Sequence, residues 1–138
     1  MIQKQISIFL LLILFSLTSV AQTGAKDNLL FLLRKKEHLA QALVTTEQLR
    51  KPENKTYIRP GRIVVILCGE EVKMLTDTAS AGLIYKAELQ NVDIVACGLS
   101  LKKFNLEKEW LLPGVQYVAN GFIKASELQK MGYLSVEI

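Results

Sequence analysis

The chain is poor in the side chains on which most catalytic chemistry draws. It has a single histidine, His38, and two cysteines, Cys68 and Cys97, with no Cys-x-x-Cys motif. That excludes the clustered spacings of structural zinc sites and the dithiol motif of thioredoxin-like oxidoreductases. No Gly-x-Gly-x-x-Gly or Gly-x-x-x-x-Gly-Lys run is present either, so the backbone cradle that nucleotide-dependent enzymes use for phosphate is missing. His38 lies in a mostly polar helical stretch without a partner and reads as a surface residue. No metal and no organic cofactor is called for. Charge is equally uninformative: 17 Lys and Arg stand against 13 Asp and Glu for a net +4, and the basic residues are scattered without interleaved aromatics. Such a pattern is a solvated surface and not a nucleic-acid face. Internal repeats and low-complexity tracts are absent.

What is present begins with an export signal. Lys4 opens it, an apolar run from Ile6 to Phe15 follows, and Ser19-Val20-Ala21 supplies small residues for cleavage. Residues 1–21 are read as a signal peptide and 22–138 as one α/β domain. The apolar run falls short of the about 20 residues of a membrane span, so no stable membrane anchor is expected after cleavage, and the protein is expected to be periplasmic or secreted. Lys4 is the sole charge before Gln22, so cleavage lowers the net charge from +4 to +3.

Beyond the leader, apolar runs alternate with helical patterns. Leu29 to Leu33 is read as a strand. A helix from Lys36 to Arg50 follows, with Leu39, Ala42, Leu43, Thr46 and Leu49 on one face. Arg62 to Gly69 contains Ile63-Val64-Val65-Ile66-Leu67-Cys68 without a polar break, the pattern of a strand covered on both faces. Thr78 or Ser80 is placed to cap a helix through Gln90 that turns Leu83, Ile84 and Ala87 inward. Val92 to Cys97 is the next strand, and short helical pieces and the Pro113-Gly114 turn lead to another at Val115 to Val118. Asn120 caps a last helix carrying Phe122, Ala125, Leu128 and Met131, and Tyr133 to Ile138 closes the chain as a strand. This order predicts a three-layer α/β/α domain with a largely parallel five-stranded sheet. Right-handed crossovers are taken to give the strand order 2-1-3-4-5.

The candidate site is Cys97. Buried parallel strands deliver side chains to their carboxyl ends, where open α/β sheets place ligands. Gly98 lets the backbone turn there, and Ser100 with Lys102 and Lys103 opens a short helix whose positive end would favour a thiolate. Cys68, deep in an apolar run, reads as a small buried hydrophobe. Glu70 and Glu71 read as a solvated pair, and Trp110 and Tyr117 as core packing, with the wall of a pocket or an interface as the alternative.

Several stretches resemble the DsrE/DsrF family, the DsrEFH-like and YchN-like proteins associated with sulfur relay. They are Val64-Val65-Ile66-Leu67-Cys68-Gly69-Glu70, Val95-Ala96-Cys97-Gly98-Leu99-Ser100-Leu101-Lys102-Lys103-Phe104, Leu112-Pro113-Gly114-Val115, Asn120-Gly121 and Leu128-Gln129-Lys130-Met131-Gly132-Tyr133. They come in the family's order and cover the chain from about Arg62 onward. The resemblance implies a DsrEFH-like fold and a homo-oligomer, trimer or hexamer. It also implies a sulfur carrier or sulfurtransferase that holds sulfane sulfur as a persulfide on Cys97, supported by Gly98, Ser100 and Lys102, between sulfur donor and acceptor proteins. The alternative is a noncatalytic DsrE-like binding or assembly module in the periplasm.

Two cysteines in an exported chain point by default to a disulfide. The strand order 2-1-3 argues against one here, since it sets Cys68 and Cys97 about 10 Å apart, beyond the roughly 6.8 Å limit between bridged Cα atoms. Amino-terminal sequencing of the exported protein is expected to begin at Gln22; a product that still begins at Met1 would contradict the leader and the compartment inferred from it.

Overall fold

A computed structural model describes residues 24–35 and 37–137. The expected leader and its cleavage site lie outside the described residues. Among the described residues no helix is long and apolar enough to cross a membrane.

The apolar runs are strands because each is buried on both faces. β1 (Asp27–Leu33), β2 (Pro60–Leu67) and β3 (Val92–Cys97) form the middle of the sheet, and β4 (Val115–Val118) and β5 (Leu134–Glu137) are its edges. All pairings are parallel. Every side chain from Ile63 to Cys68 is buried, and each large aliphatic among them is worth about 1.5–3 kcal/mol in area removed from water. At the opposite end of the sheet the strands are tied by polar groups. Asp93 on β3 accepts from Arg62 Nε of β2 at 2.8 Å and from Gln116 Nε2 of β4 at 3.1 Å.

The strand order is β4-β3-β2-β1-β5, not 2-1-3-4-5. The crossover rule ties direction to face: connections that step the same way across a parallel sheet lie on the same side of it. α1 (His38–Arg50) and α2 (Ala81–Leu89) do so, carrying the chain from β1 to β2 and from β2 to β3. Leu39, Ala42 and Leu43 of α1 share one core with Ile84 and Ala87 of α2 and with Leu101 of the short helix α3 (Gly98–Lys103). The step from β3 to β4 stays on that side. Only α4 (Gly121–Lys130) returns, carrying the chain from β4 across the other face to β5 beside β1. There Ala125, Leu128 and Tyr133 cover Leu30, Leu32, Val64, Ile66, Val95 and the two cysteines.

Two local expectations change. Ser80 stands at the N-cap of α2 but makes no side-chain capping bond; the bonded cap lies earlier, at Asp77, whose carboxylate accepts from Ala79 N at 2.9 Å at the start of the 3₁₀ turn Thr78–Ser80. On α4 the inward stripe is Gly121, Ala125 and Leu128, while Phe122 and Met131 are exposed. A glycine in the inward position shifts the buried stripe by one residue from the phase that the large apolar side chains mark.

Ile66→Ala, fully buried on the central strand β2, is expected to cost about 2–5 kcal/mol in urea unfolding, whereas Val136→Ala on the exposed edge strand stays within about 0.5 kcal/mol. Equal losses at both positions would contradict the sheet order.

Candidate functional site

The reversal of the chain after β4 creates the site. β3 leaves the sheet toward one face through α3, and β4 leaves toward the other through α4, so the carboxyl ends of these neighbours form the switch point where open α/β sheets bind ligands. Cys97 is the last residue of β3, and the loop that starts α4 lies across it. Asn120 caps α4, its Oδ1 accepting from Phe122 N at 3.0 Å and Ile123 N at 3.3 Å. The amide of Gly121 is thereby left to aim elsewhere, and it donates to Cys97 Sγ at 3.2 Å. Only glycine fits there. A Cβ on Gly121 would stand 2.8 Å from Cys68 Sγ and 2.9 Å from Cys97 Cβ.

Ser100 completes the cluster from the other side. Gly69, with φ +71, turns its amide onto Ser100 Oγ at 2.8 Å, a backbone conformation that disfavours a residue with a Cβ. With its oxygen accepting from Gly69, the Ser100 hydroxyl is free to donate its proton to Cys97. Gly98 is buried against β4, where a Cβ would come within 2.6 Å of Tyr117 Oη, and Leu99 N donates to Ala119 O at 3.1 Å. The structure therefore brings Gly98 and Ser100 to Cys97. Lys102 is not part of that cluster: it is exposed and lines a cleft of ≈ 450 Å³ with Gly98, Asn105, Glu107, Lys108 and Tyr117. α3 contributes Ser100, but the Gly121 amide at the sulfur comes from the start of α4, which the apolar pattern marks only as cover.

The strand order also moves Cys68. β2 lies directly beside β3 with Leu67 paired to Ala96, so the next residues, Cys68 and Cys97, end adjacent strands and face the same side beneath α4. The expected separation of about 10 Å is overturned, because β1 does not lie between them. Both thiols are free. Cys97 is 0 % exposed, so the open access expected of a relay cysteine is not found in the isolated chain.

The two thiols are driven apart in acidity. Burial pushes Cys97 up, but the Gly121 amide, the hydroxyl and amide of Ser100 and the Cys68 thiol together hold it below the ordinary thiol value. Cys68 is pushed up to about 12, first by burial and then by the charge of Cys97 and its hydrogen bond to that sulfur. Their effects on stability have opposite signs. Cys97 has a lower pKa folded than unfolded, so its contribution is whole above the unfolded value and is lost as pH falls through the folded one. The Cys68 contribution is whole below the unfolded value and is lost as pH climbs toward about 12.

No family model matches the chain, and no curated protein does. Solved structures do. A protein of unknown function from Methanobacterium thermoautotrophicum, MTH1491, is similar with a TM-score of 0.65 and 19% identity, over 83% of this chain and 100% of that one. A conserved protein of unknown function from Bacteroides thetaiotaomicron, BT1422, is similar with a TM-score of 0.57 and 20% identity, over 81% of this chain and 95% of that one. At such identities the likeness is one of fold.

The other candidates disperse. His38 is half-buried and not a surface residue, with Nδ1 lacking a partner among the described residues. Glu70 pairs with Lys73 at 3.4 Å. Trp110 and Tyr117 are about half exposed and outside the core. Among the described residues no group of three or more His, Cys, Asp and Glu is placed to hold a metal.

Gly121→Ala is expected to destabilise the protein by about 1–3 kcal/mol through overpacking onto the cysteines. Gly82→Ala, on α2 with open space at the Cβ position, is expected to be neutral or to gain up to about 1 kcal/mol. Thermal unfolding of both variants measures the contrast, and equal effects would contradict the packing over Cys97.

Proposed function

We propose that this protein is an exported sulfur carrier or sulfurtransferase that holds sulfane sulfur as a persulfide on Cys97. The observation that carries the proposal is a thiol of lowered pKa at the sheet's switch point, facing the Gly121 amide and the Ser100 hydroxyl. A thiolate is the attacking species in sulfur exchange, and the groups that lower its pKa also stabilise it while it waits. It attacks the outer sulfur of an incoming persulfide, the donor leaves as a thiolate, and the transferred sulfur remains on Cys97 until the next thiol takes it. Gly98 and Ser100 position the sulfur, and Lys102 belongs to the neighbouring cleft where a donor would approach.

The resemblance to the DsrE/DsrF family adds a homo-oligomer, trimer or hexamer, to this proposal. It is supported by Phe122, Ile123 and Met131, large apolar side chains left exposed on α4 and at its end. A second reading, a noncatalytic binding or assembly module, is favoured by the complete burial of Cys97.

Intact-mass analysis separates the two. After incubation with cysteine persulfide, the Cys68→Ser variant is expected to gain about 32 Da on Cys97, as one retained sulfur requires, and Cys97→Ser to gain nothing. Absence of the adduct in Cys68→Ser would favour the module.

A further inference from the structure

Two observations about Cys68 are left unused by a one-cysteine carrier. Cys68 packs in the same buried cluster as Cys97, and the Gly121 backbone lies over both residues as a common lid. The backbone geometry suits a bridge. Adjacent strands run about 4.7–4.9 Å apart, within the roughly 4.4–6.8 Å between Cα atoms that a disulfide accepts. The parallel register from Ile63↔Val92 to Leu67↔Ala96 brings the two cysteines side by side without a bulge.

We infer that Cys68 is the resolving thiol for Cys97, so that the loaded protein discharges its sulfur as hydrogen sulfide and closes a Cys68–Cys97 disulfide. The inference rests on the carrier reading and deepens it. Cys68 Sγ attacks Cys97 Sγ, the inner sulfur of the persulfide. The bond to the outer sulfur breaks, and that sulfur, which carries the persulfide's own proton, leaves with the electron pair and takes the Cys68 proton to become hydrogen sulfide. The two cysteines are oxidised by two electrons and the sulfane sulfur is reduced by two, so no other oxidant enters. The dithiol returns when a low-molecular-weight thiol reduces the bridge, two thiols being oxidised to their own disulfide. The substrate class is then a small persulfide, and the product is sulfide.

The electrostatics of the pair order these steps. While Cys97 is a thiolate, its charge helps keep Cys68 protonated, so Cys97 is the thiol that attacks first. In the protonated persulfide that charge is gone, and the positive charge of Arg34 on the Cys68 side then favours ionisation of the second thiol.

The test is one equivalent of cysteine persulfide added to the reduced wild-type protein, followed by intact mass, peptide mapping and sulfide release. The expected result is a loss of about 2 Da, a peptide linking Cys68 to Cys97, and about one sulfide per chain. Cys68→Ser, with Cys68→Ala as a second variant in case the first is poorly folded, is expected to retain the added sulfur and release none. A wild-type protein that keeps a stable gain of about 32 Da without the linked peptide would overturn the resolving role and leave the carrier reading standing. No adduct in either Cys68 variant and no bridge in the wild type would overturn both.

Discussion

The amide of Gly121 pointing at Cys97 Sγ is the contact on which the rest of the site depends. It requires the capping of α4 by Asn120, the absence of a side chain at residue 121, and the placement of α4 on the face opposite α1 and α2. Any of these lost, the sulfur keeps the cost of burial without the donor that offsets it. Burial of a thiolate is unfavourable by itself, so a buried cysteine with a lowered pKa implies that its surroundings hold polar hydrogens ready.

The same arrangement makes two chemically identical side chains unlike each other. Cys68 and Cys97 share a sheet face, a lid and almost complete burial, yet one is pushed up to about 12 and the other is held down. The difference comes from the Gly121 amide and the hydroxyl and amide of Ser100, all spent on Cys97. Once one sulfur carries the charge, it suppresses ionisation of the other. Titratable groups pushed apart in this way characterise sites in which two like side chains take different roles.

Much of the fold was legible because two-sided burial writes an unbroken apolar run, as in Ile63 to Cys68, and a one-sided helix writes a stripe, as in Leu39, Ala42, Leu43 and Thr46. The three-layer α/β class followed from that alternation. The strand order did not, because a strand buried on both faces looks the same whichever neighbours it has, and the crossover rule relates direction to face without choosing either. From that one ambiguity came the misplaced separation of the cysteines and the treatment of Cys68 as packing alone. The place of Cys97 at a strand end is legible in the sequence, as are Gly98 and Ser100 directly after it. Gly121 was missed as a donor because only the fold brings it there, although Asn120-Gly121 at a helix start marks a capped turn with one amide unclaimed. Lys102 follows Cys97 closely in sequence but faces solvent in the neighbouring cleft.

The central claim is that Cys97 is the more acidic member of an adjacent thiol pair. Residue-resolved NMR titration of the cysteine β-carbons in the reduced protein tests it most directly. The expected result is that Cys97 ionises below the ordinary thiol range while Cys68 stays protonated until about 12. Two thiols titrating together in the ordinary range, or Cys68 ionising first, would contradict it.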